Sequence, residues 1–363
     1  MSKDNRFWYL VTSIIVTSVL LATILTSCSQ TATPATSNNS ATATTSTPVK
    51  VYQWKMQSLS TKGSGDWGSN VIFADYIKRI TNGRVIITPY GGGEIVKAQD
   101  ILDGMKNNVI QCGHLFGGYY SGFIPEAAID SGIPGTFNDP FQVLHVYYHL
   151  GVLDIVRQAY AEHGVFYMGP APYGTIPMWA TKPVKSLADF QGLKVRATGL
   201  PAELLKSLGA TPTFIPQEES YTALQLNTIN AYVSGFSAFR DYKHWEIAHY
   251  IMLPGMLGQG VTGYGISQKA LAELPEDLQI IIKEAAGPFM SLEYTTYSLE
   301  GEINVRNNVS AWKAQFVQMD NEVIDAMQKF GSTALDTYAG KNARCAKMVD
   351  IIKGYLKSSG AVK

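Results

Sequence analysis

Lys185-Ser186-Leu187-Ala188-Asp189-Phe190-Gln191-Gly192-Leu193-Lys194-Val195-Arg196, continued by Leu208-Gly209-Ala210-Thr211-Pro212 and Tyr221-Thr222-Ala223-Leu224-Gln225, carries the architecture of the second half of the chain. A short strand at Lys194–Ala197 is followed by a helical pattern at Ala202–Ser207, a strand at Thr213–Ile215, a helix at Glu218–Leu226 and a strand at Ile229–Val233. Strands separated by helices of this length predict right-handed βαβ units and a parallel sheet. The same alternation precedes it. Val51–Gln57 reads as a strand, Gly63-Ser64-Gly65 as a turn, and Asp66–Ile80 as a helix with Val71, Ile72, Tyr76 and Ile80 at helical spacing and Asn82-Gly83 as its stop. Arg84–Tyr90 is a second strand closed by Gly91-Gly92-Gly93, Ala98–Lys106 a helix, and Val109–His114 a third strand. Two series predict two sheets. From Pro275 onward the strand signals stop: Glu276–Phe289, most of Ser291–Gln328 and Asp336–Leu356 read as helix, either a brace across both lobes or an arm offered to a second subunit.

The length of 363 residues suits two lobes, since single cores stop growing at about 250–300 residues. With 29 basic against 29 acidic residues, no excess charge calls for nucleic acid or an acidic membrane surface. A composition 46% hydrophobic, with 33 glycines and 20 tyrosines, excludes a disordered chain and a collagen-like repeat. Three cysteines, Cys28, Cys112 and Cys345, are too few for a disulfide framework.

Residues 1–48 are read as targeting and tether. Lys3 and Arg6 precede an apolar run from Phe7 to Leu25 that ends in Leu25-Thr26-Ser27-Cys28, an export signal. The cysteine's place resembles a bacterial lipobox, which implies a lipoprotein signal over 1–28, lipidation at Cys28 and anchoring to the outer face of the cytoplasmic membrane; an uncleaved transmembrane anchor is the alternative. Residues 29–48, rich in Ser, Thr, Ala and Asn, form a flexible tether. Both readings place the body outside the cytoplasm, where Cys112 and Cys345 either pair or serve as buried small hydrophobes.

Catalytic constellations are scarce. No glycine-rich loop is followed by Lys-Ser/Thr, and Gly91-Gly92-Gly93 runs into Glu94, which repels phosphate. No nucleophile elbow surrounds a serine. His145 and His149 share a helix face but lack a third ligand, and His244 and His249 straddle a strand start; Glu218-Glu219 point apart and suit a helix start better than paired acid and base. No catalytic or metal-ligating residues are assigned.

The order and spacing of the opening motifs resemble the solute-binding proteins of tripartite ATP-independent periplasmic (TRAP) transporters. The likeness runs from Thr81-Asn82-Gly83-Arg84 through Gly93-Glu94-Ile95-Val96 and Gln111-Cys112-Gly113-His114 to Leu274-Pro275-Glu276-Asp277-Leu278-Gln279. It is nearest the branch that binds 2-oxoacids and related carboxylates, which carries a similar Cys-Gly-His before a tyrosine cluster, here Tyr119-Tyr120. The resemblance implies an α/β, two-lobed clamshell like other periplasmic binding proteins, with a hinge cleft, a long lobe-spanning helix, a helical C-terminal end, and delivery of a captured acid to an ion-driven permease. The expected domains are 49–176 plus about 255–275 for lobe 1, 177–254 plus about 276–330 for lobe 2 and the spanning helix, and 331–363 for the C-terminal helix, a possible site of homodimer contact. A ligand-sensing module and an extracytoplasmic enzyme are the alternatives.

Arg196 ends a strand where a parallel sheet turns its carboxyl edge to a ligand crevice, and its guanidinium can hold a carboxylate bidentately. In the family the matching arginine grips the ligand. Trp179, Tyr119, Tyr120 and Trp67 are candidate walls. Where the 2-oxoacid branch has a Glu-Trp pair that helps to hold a bridging cation, this chain has Val233-Ser234, and Thr175 stands for an assisting glutamine. After Pro254-Gly255, Met256, Leu257 and Gly258 replace further aromatic and acidic groups. The expectation is a cleft without metal or cofactor that takes a monocarboxylate through Arg196.

Overall fold

Helix α1, Gly65–Ile80, begins where the serine of the Gly-Ser-Gly turn caps it: Ser64 accepts from the Trp67 amide at 3.3 Å. It ends at Asn82 and Gly83, both at positive φ, with the Gly83 amide closing on Lys78 O at 2.7 Å. Its buried face of Phe73, Ala74 and Ile77 lies on a sheet made by β1 (Tyr52–Gln57), β2 (Val85–Tyr90), β3 (Cys112–Leu115), β4 (Val165–Pro172) and a late strand, Val261–Ser267. The computed structural model describes residues 49–360, so the export signal, Cys28 and the tether lie outside the described residues.

Between β3 and β4 come α2 (Ile101–Lys106), α3 (Pro125–Asp130), α4 (Pro140–Tyr148) and α5 (Val152–Ala161). The chain then crosses to a second sheet through β5 (Ile176–Ala180), followed by β6 (Lys194–Arg196), α6 (Gly199–Ser207), β7 (Thr211–Thr213), α7 (Ser220–Gln225), β8 (Ala231–Val233), α8 (Phe236–Asp241) and β9 (Tyr250–Leu257). It returns as β10 (Val261–Ser267) to the first sheet, whose order is β2-β1-β3-β10-β4. After α9 (Gln268–Ala272) come α10 (Glu276–Asn308), β11 (Gln315–Gln318), α11 (Asn321–Ala339) and α12 (Ala343–Ser358), and the second sheet reads β11-β9-β5-β8-β6-β7.

The sheets are mixed, not parallel. β1, β2 and β3 run together, as do β6, β7 and β8, but β10 opposes β3 and β4, and β5 opposes β8 and β9. A strand arriving from the other sheet enters at the hinge end, with no helical crossover to turn it, and so runs against its neighbours. A strand also follows Pro275: β11 pairs with Tyr250–Leu253 of β9. The helix expected over Asp336–Leu356 is broken at Gly340, and Asn342 caps α12 by accepting from the Cys345 amide at 2.8 Å. In the other direction α10 runs unbroken through Pro288, where two segments were expected.

Two crossings and two helices join the lobes. Tyr173 N donates to Gly260 O and Gly260 N to Gly174 O, each at 2.9 Å. Helix α10 packs on β4 and α1 at one end and on α8 at the other. It needs Gly287, because a Cβ there would lie 2.3 Å from Met168 O. At its far end Tyr297 donates to Asp241 of α8 at 2.6 Å, and the same carboxylate accepts from the Gly65 amide at the start of α1. Helix α11 buries Val323 and Met327 in the second lobe and Leu335 and Tyr338 in the first, so the helical end folds back on its own chain. No helix among the described residues is long and apolar enough to cross a membrane.

Candidate functional site

A cavity lies between the sheets, walled by Leu59 and Ser60 after β1 and Asp66 of α1, the end of β3 and its sequel (His114, Phe116, Tyr119), the crossing residues Tyr173 and Ile176, Arg196 at the end of β6 with Thr198 after it, Val233 at the end of β8 with Ser234, Gly235, Ser237 and Ala238 after it, Leu257 and Thr262 at the return crossing, and Tyr294 of α10. It leaves about 70 Å³ for the centres of water-sized spheres. That is room for several water-sized groups, and so for a small ligand.

Arg196 dominates the second-lobe wall. It is 5% exposed, its Nε donates to Ile215 O at 3.0 Å and its Nη1 to Val233 O at 3.3 Å. The guanidinium carbon sits 4.8 Å from the centre of the Tyr232 ring, and that ring stacks on Trp179 at 5.1 Å. A guanidinium has five N–H groups and stays charged, so donors remain after the two carbonyls are served. No Asp or Glu among the described residues forms an ion pair with it. A buried cation without an anion is costly, and the remaining donors await one.

The first-lobe wall carries acceptors. Ser60 Oγ donates to Asp66 Oδ2 at 2.7 Å, while Asp66 Oδ1 is buried without a partner among the described residues. Burial pushes the Asp66 carboxyl up to about 6, against the stabilising hydroxyls of Ser60 and Tyr294. At His114, the Thr262 hydroxyl lies 2.8 Å from Nε2 and 2.5 Å from Leu115 O. The hydroxyl's one proton goes to the carbonyl, so Nε2 must be the donor and Nδ1 carries the lone pair. That Nδ1 is also buried and unpartnered, and burial pushes the imidazole down to about 3, keeping it neutral.

Of the residues singled out from sequence, the structure brings Arg196, Tyr119, Val233 and Ser234 to this cavity. Tyr119 meets Phe214 of the second lobe edge to face, with centroids 5.6 Å apart. Tyr120 lies behind it, fully buried, its hydroxyl donating to Ala98 O at 3.4 Å. Trp179 is likewise a layer behind, supporting Tyr232. Trp67 packs near Lys62 on α1 outside the lining, and Thr175 opens on a separate groove on the hinge side with Arg306 and Met327. Ser60, Asp66, His114, Tyr173, Thr262 and Tyr294 line the cavity without having been singled out for it. Asp66 reads in sequence only as the first residue of a helix, and His114 as the end of a strand.

The other candidates resolve locally. His145 and His149 lie 5.4 Å apart over a shallow surface pocket. His244 does not flank a strand; it sits in a single helical turn, His244–Glu246, with Nε2 2.8 Å from Ser220 Oγ. Glu218 and Glu219 make no capping hydrogen bond. Cys112 and Cys345 are both buried and free. Among the described residues no group of three or more His, Cys, Asp or Glu could hold a metal ion. Asp66 is the one carboxylate among the lining residues, and Val233 presents hydrocarbon where a cation-bridged site needs an oxygen, so the residues present do not fit a bridging cation.

Comparison with known proteins gives concordant matches. The profile of bacterial extracellular solute-binding protein family 7 matches residues 67–341. A monocarboxylate 2-oxoacid-binding periplasmic protein of a Nostoc species is 28% identical over 312 residues, 84% of each chain. An ectoine-binding periplasmic protein of Halomonas elongata is 23% identical over 271 residues, 69% of this chain and 78% of that one. A TRAP periplasmic solute-binding protein of Pseudoalteromonas atlantica, solved with bound sodium and pyruvate, superposes with a TM-score of 0.79 at 26% identity, covering 86% of this chain and 96% of the other.

Proposed function

Since this chain belongs to bacterial extracellular solute-binding protein family 7, the periplasmic solute-binding component of TRAP transporters, we propose that it captures a small monocarboxylate on Arg196 and hands it to the membrane permease without altering it chemically. One observation carries the reading. Arg196 is buried, has only neutral partners in the Ile215 and Val233 carbonyls and the Tyr119 hydroxyl, and faces the interlobe cavity. A carboxylate there gains two parallel charge-assisted hydrogen bonds and removes the cost of the unpaired charge. Because the cavity draws walls from both lobes, a ligand filling it favours the closed arrangement by its differential contacts. The names of the Nostoc and Pseudoalteromonas relatives, a 2-oxoacid binder and a pyruvate complex, support a small organic acid. The hydrocarbon of Val233, with no carboxylate on the second-lobe wall, supports binding without a metal. Calorimetry with a panel of small acids, in sodium, in calcium and after chelation, tests this: binding is expected to survive chelation, and affinity that disappears with the cation refutes the metal-free part.

Two further parts of the proposal concern assembly. Cys28 is the lipid-anchored first residue of the mature protein, and Cys28→Ser should release the protein from membranes into the soluble fraction. Helix α10 leaves Leu292, Leu299 and Ile303 exposed at spacings of seven and four, one apolar stripe that a second copy would cover. Sedimentation of the body from residue 49 onward should show a dimer that Leu299→Glu converts to monomer.

A further inference from the structure

The ligand must satisfy more than Arg196, because the opposite wall has needs of its own. Asp66 Oδ1 and His114 Nδ1 are both buried, both belong to residues lining the cavity, and neither accepts a well-formed hydrogen bond among the described residues, although the Tyr294 hydroxyl faces the Asp66 carboxyl. Both are acceptors: the hydrogen bond from His114 to Thr262 and onward to Leu115 fixes the ring proton on Nε2, and an ionised carboxylate only accepts. Asp66 and His114 come from the first lobe, Arg196 from the second. The guanidinium therefore lies on one lobe and the two orphan acceptors on the other, among the hydroxyls of Ser60, Tyr119 and Tyr294.

An acceptor-only acid such as an oxoacid would serve Arg196 and leave both first-lobe acceptors without a donor from the ligand, in the same cavity as a carboxylate of its own sign. A leftover buried acceptor is costly. We propose that the natural ligand is a small zwitterion, its carboxylate on Arg196 and a cationic N–H donor on Asp66, with His114 Nδ1 as second acceptor. The inference rests on the Arg196 reading above and narrows its ligand class. It also gives the ligand a mechanical part, since only a molecule with both charges ties the two lobes by charge-assisted bonds at both ends.

The test needs no variant to begin. L-Alanine, L-lactate and pyruvate differ only at the second carbon, as an ammonium, a hydroxyl and a ketone; proline and glycine betaine add a ring N–H cation and a cation without any N–H. Calorimetry and melting shifts with these probes at millimolar concentration should rank the N–H zwitterions first and betaine and pyruvate last. Asp66→Asn, close to isosteric, should weaken the preferred zwitterion at least about tenfold, the loss of one charge-assisted bond, and weaken pyruvate far less. Arg196→Met should abolish every acid alike. Three results would overturn the proposal: an oxoacid as tightest binder, no binding of any N–H zwitterion, or an oxoacid bound through Asp66 only when sodium or calcium is present. If the zwitterion preference fails while all binding still depends on Arg196, only this inference falls; if binding is indifferent to Arg196, the underlying assignment falls with it.

Discussion

Arg196→Met separates a binding arginine from a structural one, because the structure predicts opposite sizes for its two effects. In the empty protein the substitution removes the donors to Ile215 O and Val233 O, leaving two buried carbonyls short of a partner at roughly 1–3 kcal/mol each. It also removes the stacking on Tyr232, worth about 2 kcal/mol at a desolvated cation site. Against this stands relief of a buried cation with no anion, on the order of several kcal/mol, and methionine fills much of the same space. The terms largely cancel, so the unfolding free energy of the empty protein should shift by less than about 2 kcal/mol. Ligand binding has no such compensation. Losing a bidentate pair of charge-assisted bonds, about 1.5–3 kcal/mol each, should lower affinity by at least about a hundredfold. Urea unfolding of the empty protein and calorimetry of the preferred acid measure the two quantities on the same sample. Unchanged affinity, or a stability loss above about 4 kcal/mol with binding per folded molecule retained, would show that Arg196 serves the fold and not the ligand.

Tyr232→Leu removes the ring beneath Arg196 while leaving its carbonyl bonds, and should weaken binding about tenfold with little change in which acid is preferred. The Asp66 carboxyl lies at about 6 in the fold against 3.8 ordinarily, so the folded state holds a proton that the unfolded chain has released; stability from this group is greatest below pH 4 and falls as pH rises toward 6. Among groups that face it, Ser60, Tyr294 and Arg240 oppose this shift and Asp241 reinforces it. Urea titrations at acid and neutral pH should therefore show Asp66→Asn gaining up to about 3 kcal/mol relative to the native chain on going to neutral pH. His114, at about 3 against 6.5, works the other way: its contribution is lost as pH falls below 6.5, so His114→Phe should resist acid better than the native chain. Gly287→Ala forces a methyl against Met168 O and should cost about 1–3 kcal/mol, read as a lower melting temperature with α10 displaced from β4.

The parts of the fold that show in the sequence are those with local punctuation. β1, α1 and β2 lie between Gly and Asn turns with clear periodicity, and the structure places them within a residue or two of their expected bounds. β11 has only four residues and becomes a strand because Tyr250–Leu253 pairs with it, information held more than sixty residues away in the chain. The reversed sense of β5 and β10 depends on which sheet each strand comes from, which no local pattern encodes. The place of Arg196 at the cavity was legible because the family motif, and not residue chemistry alone, singled out an arginine at a strand's carboxyl end. Trp179 was not, since β5 is buried on both faces and loses the alternation that would show which way the indole points. Asp66 and His114 join the site only when residues far apart in sequence face each other across the cleft.

The interleaving of the two sheets bears on how the molecule comes into being. β10 sits inside the first sheet, yet lies after every strand of the second except β11, and β11 completes the second sheet only after α10 has been laid down. Neither lobe holds its full set of strands in one continuous piece of chain, so neither can be cut out as a self-sufficient fragment. A chain emerging from its N-terminus exposes the unpaired edges of β3 and β4 until residue 261 arrives and the edge of β9 until residue 315 does. Such late, long-range pairings make for slow folding and a long period of vulnerable edges. The first sheet is then completed only once residue 267 has emerged and the second only once residue 318 has, and the binding cavity between the lobes follows both.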